Sequence, residues 1–259
     1  MRNLLVDKLY NYWHAQLDID VEKALEKVTF RSWSGENFKF ATAVSVMSSS
    51  RIEGELLEVD SYVKHKVFNI EYLPNLVEKP NDLYAAYEFA RDNKLTKANF
   101  LLAHAIATEH LLPAMFRGSV RKGNMMIIEQ QTQTIKYEAA AQDIVNGEFN
   151  TFWNELEELL EMPMDTKQVF YYAAMIHLVF VKIHPFNDGN GRTGRLLEKW
   201  FLSMKLGEKA WFIPSELYYY NHLKAYYHNL GRLGLFYEQL DYEKSIPFLL
   251  MLPNSLVFE

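Results

Sequence analysis

Glycine and proline are scarce in this chain, and no other feature of the sequence limits its fold as strongly. There are 11 glycines and 8 prolines among 259 residues, about 7% where roughly 12% is ordinary. A many-stranded sandwich or barrel needs a turn every 8 to 12 residues or so, with residues suited to it. Long helices need few such residues, so a mostly α-helical fold is expected. Hydrophobic residues make up 49% of the chain and charged residues 23%, enough for a sizeable core in one large domain or two small ones. With no cysteine, disulfides, thiolate nucleophiles and cysteine metal sites are excluded, and a reducing cytoplasm is the compatible location. The first sixteen residues are broken by Asp7, Lys8 and His14, unlike a secretory signal. The longest apolar run, Val169–Val181, is too short to span a bilayer. A net charge of −6 provides no general field for nucleic acid, so neither a membrane nor DNA is expected as a partner.

Apolar spacing predicts an opening helix through Leu4, Leu5, Leu9, Tyr10 and Trp13 and a second over Val21–Val28. Two prolines make Tyr72–Pro80 read as a connection, followed by helices over Leu83–Asn93 and over Lys97–Leu112, the latter stopped by Pro113. Short apolar runs over Gly118–Ile128 and Thr134–Tyr137, around the polar residues Glu129–Gln133, suggest a small hairpin. Asn150 reads as the cap of a helix through Met162, with Glu155–Glu161 as its solvated face. Asp165 and Gln168 form a capping-box pattern opening a helix to about Ile183. That helix is apolar on every side and should be buried at the centre. Another helix is expected from Gly191 to Lys205, and helices rich in tyrosine and leucine in the last 54 residues. The expected organisation is an N-terminal segment over 1–80, a core over 81–205 and a helical cap over 206–259.

Between the two central helices lies His184-Pro-Phe-Asn-Asp-Gly-Asn-Gly-Arg-Thr-Gly-Arg195, which holds three of the 11 glycines. A glycine-rich turn entering a helix presents several unpaired N–H groups at the positive end of the helix dipole, a natural seat for an anion. Arg192 and Arg195, three apart, can reach the same phosphates, and the guanidinium fork suits bidentate contact. Asp188 offers the hard oxygen that Mg²⁺ takes when it is shared with phosphate. His184 can accept a proton from an attacking hydroxyl. Together these describe a nucleotide phosphate-transfer site. Gly189, Gly191 and Gly194 also match the dinucleotide fingerprint, with Glu208 near the position of its acidic ribose ligand. That fingerprint requires a preceding strand, and the run here is far too long for one. His177, His184 and Asp188 imitate zinc spacing, but two nearby guanidiniums would repel the cation. His104, His110 and His177 are expected to be structural.

The segment from His184 to Arg195 resembles the complete signature of the Fic family, His-Pro-Phe-x-Asp/Glu-Gly-Asn-Gly-Arg-x-x-Arg. The resemblance implies a Fic fold with a small β-hairpin flap and transfer of AMP from ATP to a hydroxyl of a target protein. It makes His184 the general base and Phe186 the anchor of the loop. It also makes Asp188 the holder of Mg²⁺ (or Mn²⁺), Gly189, Asn190 and Gly191 the anion nest, Arg192 a phosphate ligand, and Arg195 the clamp of the γ-phosphate. Upstream, Leu95–His104 and Gly118-Ser-Val-Arg121 resemble the opening of the family core. Met125, Met126, Ile127 and Ile128 fall where its flap holds the target. The prolines that often follow the flap are replaced by Glu138-Ala-Ala-Ala141, a departure that bears on target choice. Tyr227 is placed near the adenine.

Ser49-Ser-Arg-Ile-Glu53-Gly54 fits the family's inhibitory pattern, Ser/Thr-x-x-x-Glu-Gly/Asn. A carboxylate at Glu53 can occupy the Arg195 guanidinium that a γ-phosphate needs, so Ser49, Glu53 and Gly54 are expected to keep the site largely off. The implied protein is an autoinhibited, Mg²⁺-dependent adenylyltransferase acting on a Ser, Thr or Tyr hydroxyl, its own included. Removal of AMP at the same site is an alternative, as is a catalytically silent nucleotide-binding interaction protein. Kinase-like transfer is disfavoured by Gly191. Monomer and homodimer both stay open.

Overall fold

A computed structural model describes residues 4–29, 35–128 and 134–258. The long helix Thr166–Ile183 (α8 in chain order) runs through the middle, with nearly every residue from Val169 onward buried. Its start is the expected capping box: Gln168 N donates to Asp165 Oδ1 at 2.8 Å and Asp165 N donates to Gln168 Oε1 at 3.0 Å. The helix Asn190–Leu206 (α9) returns against it and buries Leu196, Leu197, Trp200 and Phe201. Around this pair stand α1 Tyr10–His14, α2 Val21–Thr29, α3 Gly35–Ile52, α4 Val59–Phe68, α5 Pro74–Asp92, α6 Lys97–Ala107 and α7 Val145–Glu161. The C-terminal part adds α10 Ser215–Asn221, α11 Leu223–Gly231 and two one-turn helices, α12 Ile246–Leu249 and α13 Met251–Asn254. Strands β1 Met126–Ile128 and β2 Ile135–Glu138 form an antiparallel hairpin pairing Ile127 with Tyr137. The polar residues Glu129–Gln133 lie outside the described residues. Helices with one small hairpin are what the shortage of glycine and proline leads one to expect. Among the described residues no helix is long and apolar enough to cross a membrane.

Several boundaries differ from the sequence reading. The opening helix is only Tyr10–His14, and the amides of Leu4 and Leu5 ahead of it donate to the Glu155 carboxylate at 3.0 and 2.7 Å. Glu155 is therefore buried and bonded, not part of a solvated face. Tyr72–Pro80 is not a connection: Pro74 occupies the first turn of α5, where its missing N–H is harmless, and Pro80 lies inside the helix. An interior proline costs about 3 kcal/mol. Burial of Val77, Pro80, Leu83, Tyr84, Tyr87 and Ala90 offsets it. Helix α6 ends at Ala107, before Pro113 is reached, and α7 begins at Val145, so Asn150 lies inside it and accepts a hydrogen bond from Lys97.

The fold delivers the end of α3 to the start of α9. Arg51 fastens that end to the C-terminal part, Nε donating to Tyr220 Oη at 2.9 Å, and its Nη1 donates to the Leu56 carbonyl of the following loop at 2.8 Å. Arg121 staples the base of the hairpin to the α8–α9 turn. Its backbone N donates to the Pro185 carbonyl at 2.8 Å, Nε to the His184 carbonyl at 2.8 Å, and its terminal nitrogens to the carbonyls of Gly123 and Ala140.

Candidate active site

His184 ends α8 in the left-handed region, at φ 54° and ψ 59°. A non-glycine residue there is strained, and the bonds to its backbone hold it: N donates to the Phe180 carbonyl at 3.0 Å, and O accepts from Arg121. Its Nδ1 faces the Val181 carbonyl at 3.1 Å. A carbonyl only accepts, so Nδ1 carries the proton and Nε2 keeps its lone pair. Burial lowers the imidazole pKa and Arg121 adds to that, overcoming the Val181 bond and the charges of Glu53 and Asp188. At neutral pH the side chain is an uncharged base.

The turn after it is fastened from within. Phe186 is fully buried among Phe100, Phe149 and Phe180, with the His104 ring 3.7 Å away. His104 donates from Nε2 to the Asp188 carbonyl at 3.0 Å and accepts the Gly118 N–H at Nδ1 at 2.9 Å. Burial brings its pKa down to about 4, so both roles persist at neutral pH. This histidine is structural, as expected, but what it builds is the anion loop; no local signal marks that role. The Asn190 side chain is committed to Phe186, accepting its N–H and donating to its carbonyl at 2.9 Å each. The first bond of α9 runs from Thr193 N to the Gly189 carbonyl at 3.0 Å. The amides of Asn190, Gly191 and Arg192 therefore point out of the helix end, so Asn190 joins the nest through its backbone. Gly189 caps the helix at φ 78°, and its N–H is taken by Asp188 Oδ1 at 2.6 Å.

Glu53 lies directly over that helix end. A Cβ at Gly191 would stand 2.2 Å from Glu53 Oε1. The same oxygen accepts from Arg195 Nη2 at 2.6 Å, while Ser49 accepts Arg195 Nε through Oγ at 2.8 Å and Nη2 through its carbonyl at 3.1 Å. Burial pushes the Glu53 carboxyl up. The Arg195 charge and hydrogen bond, aided by Arg192 and His184, more than reverse this and hold it below the usual carboxylate range. Gly54, at φ 92°, ends the segment. A second acid on the same stretch, Glu55, accepts from Arg192 Nη2 at 3.0 Å and from Lys79 at 3.1 Å. The sequence reading assigned Glu55 nothing, although it stands in the same string as Glu53.

A cavity of about 690 Å³ opens here. Glu53, His184, Gly191, Arg195, Tyr226 and Tyr227 line one side, and Ile127, Ile128, Tyr137 and Lys182 the other. Its size lies within the range of small-molecule sites. Tyr227 is half exposed and donates to the Ile52 carbonyl at 3.0 Å, while buried Tyr226 accepts from Arg195 Nη1 at 3.2 Å. Lys182 is buried with its ammonium 4.0 Å from the Tyr137 ring centre, and burial lowers its pKa to about 8. Asp188, Asn190, Arg192, Met125 and Met126 are not among the cavity-lining residues; Asp188 is exposed beside it, and Met126 is half exposed on the hairpin. His177 sits fully buried between Glu198 and Tyr226. Among the described residues no group of three or more His, Cys, Asp or Glu could hold a metal alone. Asp188 Oδ2 is the donor left at the turn, which fits a Mg²⁺ ion that takes most of its ligands from phosphate and water.

Geometry of this kind defines a helical domain built on a glycine-rich anion turn with a hairpin across its mouth. Residues 94–202 match the model of the Fic/DOC family. A protein named protein adenylyltransferase Fic from Aedes aegypti is 46% identical over 56 residues, 20% of this chain and 10% of that protein. Its Drosophila melanogaster namesake is 49% identical over 55 residues, 20% of this chain and 11% of that protein. These matches thus span only a small part of the curated relatives. The fold agrees over nearly the whole chain with a Fic family protein from Desulfovibrio desulfuricans, at TM-score 0.71 and 20% identity, covering 99% of this chain and 72% of the other. A Fic-domain signaling protein from Bacteroides thetaiotaomicron aligns at TM-score 0.66 and 17% identity, covering 98% and 92%. The Glu53 segment lies outside the 94–202 match.

Proposed function

We propose that this chain transfers AMP from ATP to a protein hydroxyl and that Glu53 holds it in an inactive state. The observation that carries the reading is the 2.6 Å bond from Arg195 to Glu53, with the carboxylate over Gly191 at the mouth of the amide nest. A charge-assisted bond of this kind is worth about 1.5–3 kcal/mol. That is enough to keep the triphosphate from its productive orientation. With Glu53 withdrawn, the outward amides of Asn190, Gly191 and Arg192 and the Arg195 guanidinium hold the phosphates. Tyr227, beside Tyr226, offers a wall for the adenine. His184 Nε2 takes the proton of the attacking hydroxyl, whose oxygen bonds to the α-phosphorus as the bond from that phosphorus to the bridging oxygen of pyrophosphate breaks. Mg²⁺ (or Mn²⁺), held through Asp188, supplies charge neutralisation on the phosphates when bound. Ile127 and Ile128, exposed on β1, are the surface on which the target segment would lie. The N-terminal segment 1–80 then serves as the regulatory part, 81–205 as the catalytic core and 206–259 as a cap closing the adenine side.

The test is incubation with α-³²P-ATP and Mg²⁺. We expect weak self-labelling of the wild type and strong labelling of Glu53→Gly, about tenfold or more if the 1.5–3 kcal/mol bond is what suppresses transfer. Equal labelling of the two would remove Glu53 as the inhibitor, and label from γ-³²P-ATP would mark a kinase.

A second reading has its own support. The Glu53 side chain is 31% exposed and lines the cavity alongside His184, a position from which it could orient a water for removal of AMP. Adding wild-type protein to purified, labelled Glu53→Gly protein decides it: release of AMP favours removal, and retained label favours transfer.

A further inference from the structure

Arg195 is gripped twice, from different parts of the fold. One grip comes from the end of α3: Ser49 takes Nε–H and one Nη2–H, and Glu53 takes the other Nη2–H. The second starts at Nη1, which donates to Tyr226 Oη at 3.2 Å. His177 Nε2 lies 3.0 Å from the same oxygen, His177 Nδ1 lies 2.8 Å from Glu198 Oε2, and Tyr219 Oη donates to that carboxylate oxygen at 2.9 Å. The side chains of His177 and Glu198 are wholly buried.

The chemistry of the two end groups fixes the bonds they make. A guanidinium only donates and a carboxylate only accepts. Tyr226 Oη therefore accepts from Arg195, and a neutral His177 takes the tyrosine's own hydrogen at Nε2. His177 then carries its proton on Nδ1 and gives it to Glu198. Linked bonds in a dry interior polarise one another in one direction, here concentrating negative charge on the tyrosine oxygen that faces the arginine.

The two grips do not share a fate. Ser49 and Glu53 both belong to the α3 end, so whatever draws Glu53 away also disturbs Ser49. Tyr226, His177 and Glu198 belong to α11, α8 and α9 and need not move. Of the five guanidinium hydrogens, removal of the Glu53 carboxylate alone, with Ser49 in place, leaves one free on Nη1 and one on Nη2, a pair suited to bidentate contact with a phosphate. We infer that Tyr226, oriented by His177 and Glu198, is a positioning residue that keeps Arg195 aimed at the terminal phosphate of a nucleoside triphosphate once Glu53 has left. The inference rests on the proposed role of Arg195 as the γ-phosphate clamp.

The experiment uses the full chain carrying Glu53→Gly, with and without Tyr226→Phe, which removes a single oxygen. Calorimetric titration with ATP and with ADP, each with Mg²⁺, reads the role directly. We expect about a tenfold loss of ATP affinity with ADP affinity unchanged, the size of one charge-assisted hydrogen bond. Damage to packing would weaken both nucleotides alike, and either that result or no change in ATP affinity overturns the inference. His177→Gln should act in the same direction and add nothing once Tyr226→Phe is present, a non-additivity that marks residues acting through one another. An additive effect would separate His177 from the arginine. If Glu53→Gly binds ATP but transfers no AMP, the adenylyl-transfer reading fails, while the ATP-to-ADP comparison still reports on Tyr226.

Discussion

On one side of the cavity, the turn from His184 to Asn190 is tied down at many of its backbone groups: by Phe180 and Arg121 at His184, by Asn190 at Phe186, by His104 at Asp188. On the other side, β1 and β2 leave Met126, Ile127, Ile128 and Ile135 between 38% and 50% exposed. The anchors of this hairpin include Arg121 and the Glu138 N–H to the Leu235 carbonyl at 2.7 Å at the base, and Tyr137 Oη to the Lys182 carbonyl at 2.7 Å. The difference teaches where each kind of information is held. A reacting phosphate must be met by groups already in position, which requires a buried, over-bonded turn. An acceptor segment that adds along a strand is held through backbone groups, which an exposed, lightly anchored hairpin can supply to many sequences.

The comparison can be broken at its strongest point first. In the Glu53→Gly protein, His184→Ala should reduce AMP transfer by about 10²–10⁴-fold while nucleotide binding persists, because a general base contributes that much. Initial rates of α-³²P-ATP labelling measure it, and retained transfer would show that the turn does not supply the base. Next, Phe186→Ala should destabilise the fold by about 3–5 kcal/mol in urea unfolding, since an aromatic ring leaves a fully buried site. A loss below about 1 kcal/mol would mean that the turn is not anchored as described.

The third expectation concerns pH. His184 has its pKa lowered below 6.5, so it is already neutral above that value, and only acidification through the lowered pKa removes the base. Rates for Glu53→Gly should be level from about pH 6.5 to 8 and fall below; a rise through that window would mean a charged imidazole at neutrality. Glu53 carries a depressed pKa, so its bond to Arg195 is fully present above the unfolded value of about 4.5 and is lost only as pH falls through the folded one. The ratio of Glu53→Gly to wild-type labelling should therefore hold constant over the same window. The smallest effect belongs to the hairpin: Ile127→Ser should change stability by no more than about 0.5 kcal/mol, as at other exposed positions. A larger change in urea unfolding would place the flap within the folded core.

What could be read from sequence follows the same division. The turn was legible because its own geometry demands particular residues: glycine at a positive φ in position 189, a ring at Phe186 to fill a pocket, an amide at Asn190 to bridge the turn. Glu53 was legible because its motif stands in unbroken order on the end of one helix. Glu55, His104 and Tyr226 were not legible in those roles, because their partners lie between 31 and 137 positions away and only the packed fold brings the pairs together. The helices went astray where tertiary contacts overrode local rules, as at Pro80 inside α5.

The bare α-carbon of Gly191 has a consequence that reaches beyond the turn. The volume beside it is a berth for one occupant. A carboxylate oxygen fills it now, and a side chain at that position would overlap the oxygen at 2.2 Å. A phosphate seated on the same amides would contest the same space. If Glu53 regulates the site as proposed, exclusion of one occupant by the other would need no moving switch at the turn itself. It also joins two distant codons in one constraint: the acid at 53 can keep its seat only while position 191 carries no side chain at all.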